Sequence, residues 1–369
     1  MTVWNFKDPG VWFRRRLPGF RRPARSTGSG PPLATVLILT LVSLALPVSE
    51  SNARTATPDD PYRIIGVVWR GETEVEAGFR AQLTQRRIPF ELEILNLALD
   101  RKNAPAFVEE IKRKRPDLVY TWGTGTTTSI VGPIDAENPD SFVRDIPGLF
   151  VLVSYPLQAN IIESFERTGR NLTGVSFLAP VDVQFSAIQA YYPFKTVAVI
   201  YDETAQNSRI NVERLKVTVP EMGMRLLVYP IPLDGNGRPD PEEMLGLVAV
   251  AREDGAELLY IGPDSFLVRH ADALTSTAIE AGLPTFSATQ APLLNSRAMF
   301  GLVSDYFTHG RLAALQAERI LVDGIAPEDL PVGELTRYKL WINHDVVHEV
   351  GLYPPLALIA VADFRESPR

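Results

Sequence analysis

Short apolar runs alternate with amphipathic segments from residue 62 onward. "RIIGVVW" and "DLVYTWG" are rich in β-branched and apolar residues, which predicts strands. "ETEVEAGFRAQLTQRR" between them places Val75, Phe79 and Leu83 on one face, which predicts a helix. The same alternation continues through eight further strand-like runs, "FELEILNL", "GLFVLVS", "LTGVSF", "TVAVIYD", "RLLVYPI", "ELLYIG", "LPTFSA" and "RYKLWI", and "APAFVEEIKRKR" predicts a further helix. Because continuous apolar strands separated by helices are typical of parallel sheets covered on both faces, the pattern predicts an α/β fold.

The length of 369 residues fits two doubly wound parallel sheets, each of roughly five or six strands, better than one very wide sheet. Turn residues at Gly169–Gly174, at Ser304–Asp305 and after "GIAPEDLP" predict three crossings between two lobes, which would form a hinge. The predicted division gives residues 62–173 plus 306–327 to an N-terminal lobe and 174–304 plus 328–355 to a C-terminal lobe.

Residues 1–53 have the pattern of an export signal. A basic segment precedes the apolar stretch Leu33–Leu46, and small residues follow at Ser51 and Ala53. The apolar stretch is shorter than the ~20 residues that span a bilayer but suits a signal core, so we predict cleavage after Ala53. Retention of the segment as an anchor is the alternative.

Charge and cysteine content narrow the function classes. Residues 1–53 carry seven Lys and Arg against two acidic residues, so the remainder of a chain with net charge −7 lies near −12. Such an acidic surface argues against nucleic acid or an anionic membrane as partner. The chain has no cysteine, which excludes disulfides, catalytic thiols and a lipid-modified N-terminal cysteine. We therefore expect a monomer that is free in the periplasm.

Candidate chemistry follows the strands, because ligands of open parallel sheets bind at the carboxyl ends of the strands. The side chains there are hydroxyls, aromatic rings and a few charged groups, and no pair among them resembles a nucleophile with its base. They therefore predict a pocket lining without catalytic groups. The predicted ligand-binding residues are Trp69, Arg70, Gly123, Thr124, Gly125, Thr126, Thr127, Ser154, Tyr155, Asp202, Asp264 and Ser265.

The loop "TWGTGTTTS" is the most distinctive of these segments. It lacks the lysine of a phosphate-binding P-loop and the third glycine of a dinucleotide fingerprint, so we expect no cofactor. A helix that starts near Thr126 would direct free backbone N–H groups and threonine hydroxyls into the pocket, which suits a carboxylate. The alternative is that the threonines only cap the helix.

Several candidates have a structural alternative. Trp69, Trp122 and Tyr155 are equally typical of a core, and Asp264 is well placed to cap the helix that follows it. His344 and His348 have the spacing of a zinc-binding helix, but the acidic residue between them is Asp345 where such enzymes need Glu, and no third ligand is evident. We therefore expect no metal, and a zinc hydrolase is the least favoured function.

Four segments together resemble the family of ABC-transporter substrate-binding proteins that includes tryptophan- and tyrosine-binding lipoproteins. The segments are "EAGFRAQL", "LVSYPLQANIIESFERTGRNLTGVSF", "LLYIGPDSF" with "AGLPTFSATQ", and "DYFTHGRLAALQAERILVDGIAPEDLPV" with "LWINHDVVHEVGLYPP". The resemblance covers residues 62 to 355.

The resemblance implies a two-lobed periplasmic-binding fold of the three-crossover type, hinge closure on a small ligand, and delivery to a membrane permease. By position it places the cleft at Gly123–Thr127, Ser154–Tyr155, Asp202 and Asp264–Ser265. The chain has Tyr155-Pro156 where the family usually has Asp-Pro, and its first strand ends in Trp69-Arg70. Arg70 favours a carboxylate-bearing ligand, and the aromatic residues allow a ring. A sensing module for a membrane signalling receptor is the alternative function.

Overall fold

A computed structural model describes residues 55–368 of the chain, so the predicted export signal at 1–53 lies outside the described residues. Strands and helices alternate along the described part, as the hydrophobic pattern predicts. Its strands are β1 (Tyr62–Val68), β2 (Phe90–Asn96), β3 (Leu118–Trp122), β4 (Gly148–Val153), β5 (Leu172–Ser176), β6 (Thr196–Tyr201), β7 (Arg225–Pro230), β8 (Leu258–Ile261), β9 (Thr285–Ser287), β10 (Phe300–Val303), β11 (Gly333–Glu334), β12 (Lys339–Asn343) and β13 (Asp363–Arg365).

The first sheet has the strand order β11–β5–β4–β3–β1–β2, and its neighbouring strands pair in parallel. β1 lies between the edge strand β2 and β3, so Ile64 pairs with Leu92 on one side and Leu118 on the other. β3 and β4 are buried along their whole length, as expected for strands with helices on both faces.

The second sheet has the order β13–β12–β10–β9–β8–β6–β7. The predicted parallel arrangement is confirmed for most pairs of this sheet, while β12 runs antiparallel to β10, with Phe300 opposite Ile342. A doubly wound sheet accommodates such a strand near its edge, because the chain can return there without a crossover helix. β13 pairs with β12 beyond residue 355, where the predicted second lobe ends.

Helices cover the two sheets. Within residues 55–368 they are α1 (Glu74–Gln85), α2 (Ala104–Lys114), α3 (Thr124–Ile130), α4 (Val181–Tyr191), α5 (Gln206–Glu221), α6 (Pro241–Glu253), α7 (Ser265–Arg269), α8 (Ala271–Glu280), α9 (Gln290–Asn295), α10 (Tyr306–Leu321), α11 (His344–Val350) and α12 (Leu356–Ile359). None of these helices of the described chain is long and apolar enough to cross a bilayer. The segment after Asp264 forms two helices, α7 and α8, instead of the single predicted one.

The chain passes between the two sheets three times: after β5, between β10 and α10, and between β11 and β12. The first crossing follows Ser176, so the predicted boundary after residue 173 falls inside β5 and is corrected by three residues. β11 also pairs with β5, which places Gly333–Glu334 in the first sheet although the prediction gave residues 328–355 to the second lobe. The remaining limits of the predicted lobes stay a prediction.

Helix α10 returns from the second crossing and packs directly on α1. Two glycines allow the close approach: a Cβ atom on Gly78 would lie 2.0 Å from the carbonyl oxygen of Phe307, and one on Gly310 would lie 1.9 Å from that of Val75. Val75, Phe79 and Leu83 on α1 are fully buried, as predicted. The contact joins the first and the last helix of the first lobe and so fixes where α10, and the crossing before it, can lie.

Candidate functional site

A cleft of about 450 Å³ lies where the carboxyl ends of the two sheets meet. Its wall consists of residues that follow β1 to β5 in the first sheet and β6, β8 and β9 in the second. Ten of the predicted ligand-binding residues line it: Trp69, Arg70, Gly123, Thr124, Gly125, Thr126, Ser154, Asp202, Asp264 and Ser265. These residues lie together because they follow the carboxyl ends of parallel strands. Their contact with a ligand stays a prediction.

Arg101 also lines the cleft and is missing from the predicted residues. It follows β2, so the strand-end rule predicts it once that strand is included. The chain passes from β2 to Arg101 through a tight turn at Ala98 and Leu99. Both residues have a left-handed backbone conformation, with φ of 53° and 66°. Asn96 Oδ1 accepts a hydrogen bond from the backbone N–H of Ala98, and Leu99 N–H donates to Trp69 O. The strain of two non-glycine residues in this region indicates a conformation that the surroundings enforce.

The loop after β3 turns at Gly123, whose φ of 82° few other residues adopt. The turn starts α3 at Thr124, two residues before the predicted position. Thr124 and Thr126 are almost fully buried in the cleft wall, and their Oγ1 atoms have no hydrogen-bond partner among the described residues. Because an unsatisfied buried hydroxyl is costly, a ligand that supplies partners for them would be favoured.

Thr127 does not line the cleft, which corrects its prediction. It lies one position past the residues that face the pocket, and its Oγ1 donates to Gly123 O at 2.9 Å and lies 2.9 Å from Thr121 Oγ1. The early start of α3 explains the difference, since it rotates Thr127 toward the sheet. Thr127 therefore bonds back to the carbonyl four residues earlier in the chain, and no threonine side chain caps the start of α3.

Tyr155 does not line the cleft either. A register shift in β4 between Val151 and Val153 leaves Leu152 in a left-handed conformation with φ of 51°. Such bulges redirect the side chains that follow. Here Ser154 faces the cleft, while Tyr155 Oη is buried behind it and donates to Asn211 Oδ1 at 2.6 Å. Burial raises the pKa of Tyr155, although the nearby Arg214 guanidinium opposes the shift.

Asp264 caps α7, as its structural alternative predicts, and shapes the second wall. Its Oδ1 accepts from the backbone N–H groups of Phe266 and Leu267, and its Oδ2 from Asp202 N–H and Ser208 Oγ. Burial raises the pKa of this carboxyl, and the four donors counteract that effect. With its acceptor positions occupied, Asp264 holds the cleft wall and has little capacity left for a ligand amine.

Asp202 keeps part of its capacity. Its Oδ1 accepts from both the backbone N–H and the hydroxyl of Thr204, at 2.8 and 2.6 Å. No donor among the described residues bonds its Oδ2. The residue is 8% exposed, at the cleft surface. Asp202 is thus the acidic residue of the cleft that can accept a hydrogen bond from a ligand.

Arginines and indole rings alternate on the first wall. The Arg70 guanidinium carbon lies 5.0 Å from the centre of the Trp122 ring, and that of Arg101 lies 6.0 Å from the centre of the Trp69 ring. Both are within the range of cation–π attraction, which orients the guanidinium groups. Arg101 is open to the cleft, yet the surrounding protein removes enough water to lower its pKa, while Asp202 opposes that effect. Neither arginine has an ion pair within the described residues.

Trp122 is held in place from behind. Its Nε1–H reaches Thr73 Oγ1 at 3.4 Å, and Thr73 is the N-cap residue of α1. The same hydroxyl donates to the buried carboxylate of Glu76, which also accepts from Tyr120 Oη at 2.5 Å. Burial raises the pKa of Glu76. The start of α1 therefore positions an aromatic wall of the cleft.

Residues next to the first two crossings line the base of the cleft. Phe177 follows β5 and lines the cleft, with its ring edge-on to Tyr306 and His309. Tyr306, the first residue of α10, also lines the cleft. His309 has a structural role: its Nε2 donates to Ser176 O at 2.9 Å, which ties α10 to the first crossing. Burial lowers the pKa of His309 to about 4.

The remaining histidines of the prediction lie outside the cleft. His344 starts α11, whose N-cap Asn343 accepts a hydrogen bond from Val346 N–H. No group of three metal-ligating side chains occurs in residues 55–368. The cleft itself offers a zwitterion or an anion hydrogen bonds, aromatic surface and positive charge.

Comparison with known proteins places this cleft in a family. Residues 89–364 match the family model described as "ABC transporter substrate binding protein". The chain belongs to this family. Its members are substrate-binding proteins and not enzymes, and they are extracellular or periplasmic.

The proteins and solved structures that resemble this chain differ widely from it in sequence. A tyrosine-binding protein of Clostridioides difficile is 21% identical over 262 residues, which are 71% of this chain and 70% of that protein. A conserved domain protein from Vibrio cholerae has a TM-score of 0.72 at 21% identity and covers 84% of this chain and 99% of its own. The ABC domain from Streptococcus pneumoniae in complex with L-Trp has a TM-score of 0.69 at 19% identity and covers 82% and 99%. At these identities the likeness establishes the two-lobed fold.

Proposed function

We propose that this chain is the periplasmic solute receptor of an ABC importer and closes its two lobes on a small carboxylate-bearing ligand, with an aromatic ring allowed. The ten predicted residues that line the cleft, together with Arg101, would contact that ligand. The protein would act as a monomer without nucleic-acid partners and would hand the ligand to an inner-membrane permease. Export would use residues 1–53, and the product would not be lipid-anchored.

One observation carries the proposal: the cleft presents charged and polar groups that have no partner within the described residues. Arg70 and Arg101 lack carboxylates, and Thr124 and Thr126 lack hydrogen bonds. A guanidinium group is the preferred protein partner of a carboxylate, because its planar donors match the two oxygens. Binding an anion at this place satisfies groups that the empty cleft leaves unpaired.

The aromatic side chains support a ring-bearing ligand. Trp69, Trp122 and Tyr306 line the cleft together with Phe177. Stacking of rings adds about 0.5–1.5 kcal/mol beyond buried area. A tyrosine-binding protein and an L-Trp complex among the relatives support the same ligand class.

A thermal-shift screen of amino acids, aromatic acids, small peptides and sugars tests the proposal. A ligand at about 100 times its Kd stabilises the folded state by about 2.7 kcal/mol, which raises the melting midpoint measurably. We expect anionic or zwitterionic compounds to raise it, and Arg70→Ala to weaken the best of them about 10- to 100-fold, since hydrogen bonds to charged groups contribute about 1.5–3 kcal/mol.

The matched control for Arg70→Ala is Arg225→Ala. Arg225 begins β7 at the amino end of the second sheet, away from the cleft, and is exposed. A screen in which only neutral sugars shift the midpoint contradicts the carboxylate class. Equal affinity of Arg70→Ala and the wild type removes Arg70 from the site.

A further inference from the structure

The cleft holds more guanidinium groups than one carboxylate can pair with, although its formal charge, three arginines against two aspartates, is +1. Arg70, Arg101 and Arg269 line it, against the acidic residues Asp202 and Asp264. This local excess of arginine stands out in a chain whose formal net charge is −7. Of the two acids, Asp264 already accepts four hydrogen bonds from the protein, so its charge is stabilised by its own wall.

The two arginines of the first wall occupy separate positions. Arg70 lies over Trp122, and its charge acts on the Tyr306 hydroxyl at the base of the cleft. Arg101 lies near Trp69, and its charge interacts with Asp202 on the opposite wall. Each guanidinium group therefore lies at its own indole ring and is placed to take an anionic group of its own.

The Arg101 guanidinium group occupies space in the cleft wall that a side chain at position 125 would fill. A Cβ atom on Gly125 would lie 2.7 Å from Arg101 Nη2, so the absence of a side chain at Gly125 leaves space for the guanidinium group. Thr124 and Thr126 flank this glycine, with their unpartnered hydroxyls in the same stretch of wall. Arg101 and the two threonines thus form a second cluster of anion-binding groups, apart from Arg70.

The arginines of the described chain that form ion pairs with carboxylates lie mostly at the surface. Arg86, for example, binds the carboxylate of Glu318 through two nitrogens. Among the described residues, Arg101 has no carboxylate within ion-pair distance, and it is exposed at the cleft. A guanidinium group that has no protein carboxylate can pair with a ligand anion through charge-assisted hydrogen bonds.

On the proposed function, we infer that the ligand is a dianion: a small molecule whose two acidic groups lie apart, one paired with Arg70 and the other with Arg101 and the hydroxyls of Thr124 and Thr126. A dicarboxylate on an aromatic or extended aliphatic frame has this chemistry. The indole rings of Trp69 and Trp122 would contact the frame between the two groups.

Calorimetric titration with matched probes tests this inference. Benzoate carries one carboxylate on a ring, terephthalate and isophthalate carry two at different spacings, and glutarate carries two on an aliphatic frame. L-Tryptophan represents the zwitterions, for which Asp202 would bind the amino group. We expect the best dicarboxylate to bind at least about tenfold more tightly than benzoate and L-tryptophan, because a second charge-assisted pair forms.

Two variants locate the second acidic group. Arg101→Gln removes its charge, and Gly125→Ala keeps the charge but displaces the guanidinium with a small side chain that a helix tolerates. Both should reduce the ratio of dicarboxylate affinity to benzoate affinity to about one, since benzoate has no second acidic group for Arg101 to bind. The control Arg225→Gln, with its exposed site at the start of β7, should behave as the wild type.

The outcomes separate this inference from the proposed function. If benzoate or L-tryptophan binds as tightly as every dicarboxylate, the ligand is not a dianion and the receptor function stands. If the preference for a dicarboxylate survives both variants, Arg101 does not bind the second group and the inference is overturned. If no compound of the panel or the earlier screen binds, the proposed function fails together with the inference.

Discussion

Some of the side chains in and near the cleft have their polar groups paired within the protein, while others have polar or charged groups without a protein partner. Asp264 and Thr127 were predicted to face a ligand, yet each is satisfied by backbone groups around it. Arg101, Thr124 and Thr126 are open, and two of these three were predicted. What a side chain can offer a ligand depends on which neighbours already use it, and a sequence does not contain that information.

His309 provides a prediction at this scale. Its Nε2 donates to Ser176 O, and its Nδ1 has no partner in residues 55–368, so protonation would bury an unpaired charge. Burial therefore lowers its pKa from the ordinary 6.5 to about 4, with the hydrogen bond and Asp305 opposing the shift. The unfolded chain binds the proton first as the pH falls from 6.5 to 4, so folding stability declines across that window.

The expected size of this effect is about 2 kcal/mol between pH 7.5 and pH 5. His309→Gln keeps a side-chain donor for Ser176 O but cannot titrate, so its unfolding free energy should fall less with acid by about that amount. Urea unfolding of both proteins at several pH values measures the difference. Parallel pH profiles for the variant and the wild type would falsify the role of His309.

At the scale of elements, the hydrophobic pattern predicts most of the fold. Strands from β1 to β9 and helices α1 and α2 lie within a few residues of the predicted segments, because their apolar periodicity is regular. The predictions fail where contacts between distant parts of the chain determine the local structure. β12 reverses direction through pairing with β10, β11 adds to the first sheet with only two residues, and the bulge in β4 turns Tyr155 away from the cleft.

The packing of α10 on α1 gives a prediction for elements. An alanine at position 310 would place its Cβ 1.9 Å from Val75 O, a backbone atom that cannot move aside easily. We expect Gly310→Ala to destabilise the fold by about 1–3 kcal/mol or more, through forced separation of the helices.

The matched control is Gly246→Ala in the middle of α6. Gly246 is exposed, and a Cβ there meets no other atom of the described chain within 4 Å. This variant should gain about 0.5–1 kcal/mol, because alanine loses less backbone entropy in a helix. Urea unfolding followed by circular dichroism compares the two. Equal effects of the two substitutions would show that α1 and α10 tolerate a wider spacing.

At the scale of the whole molecule, three crossings join two sheets whose carboxyl ends meet at one cleft. The family and the two-lobed architecture were predictable, because the order and spacing of several weak motifs carry them. The detailed pocket was predictable only in part. Its outline follows from the strand-end rule, while Arg101 depends on the left-handed turn at Ala98 and Leu99, and Tyr306 depends on where α10 returns.

Solution X-ray scattering tests the central claim, that the cleft captures a ligand by closure of the lobes, most directly. The measurement compares the radius of gyration of the protein without ligand and at saturation with the tightest-binding compound of the screen. Our account predicts a decrease at saturation in the wild type, and the same decrease in Arg70→Ala only at ligand concentrations about 10- to 100-fold higher. An unchanged radius of gyration in a wild-type protein shown by calorimetry to be saturated would contradict capture by closure.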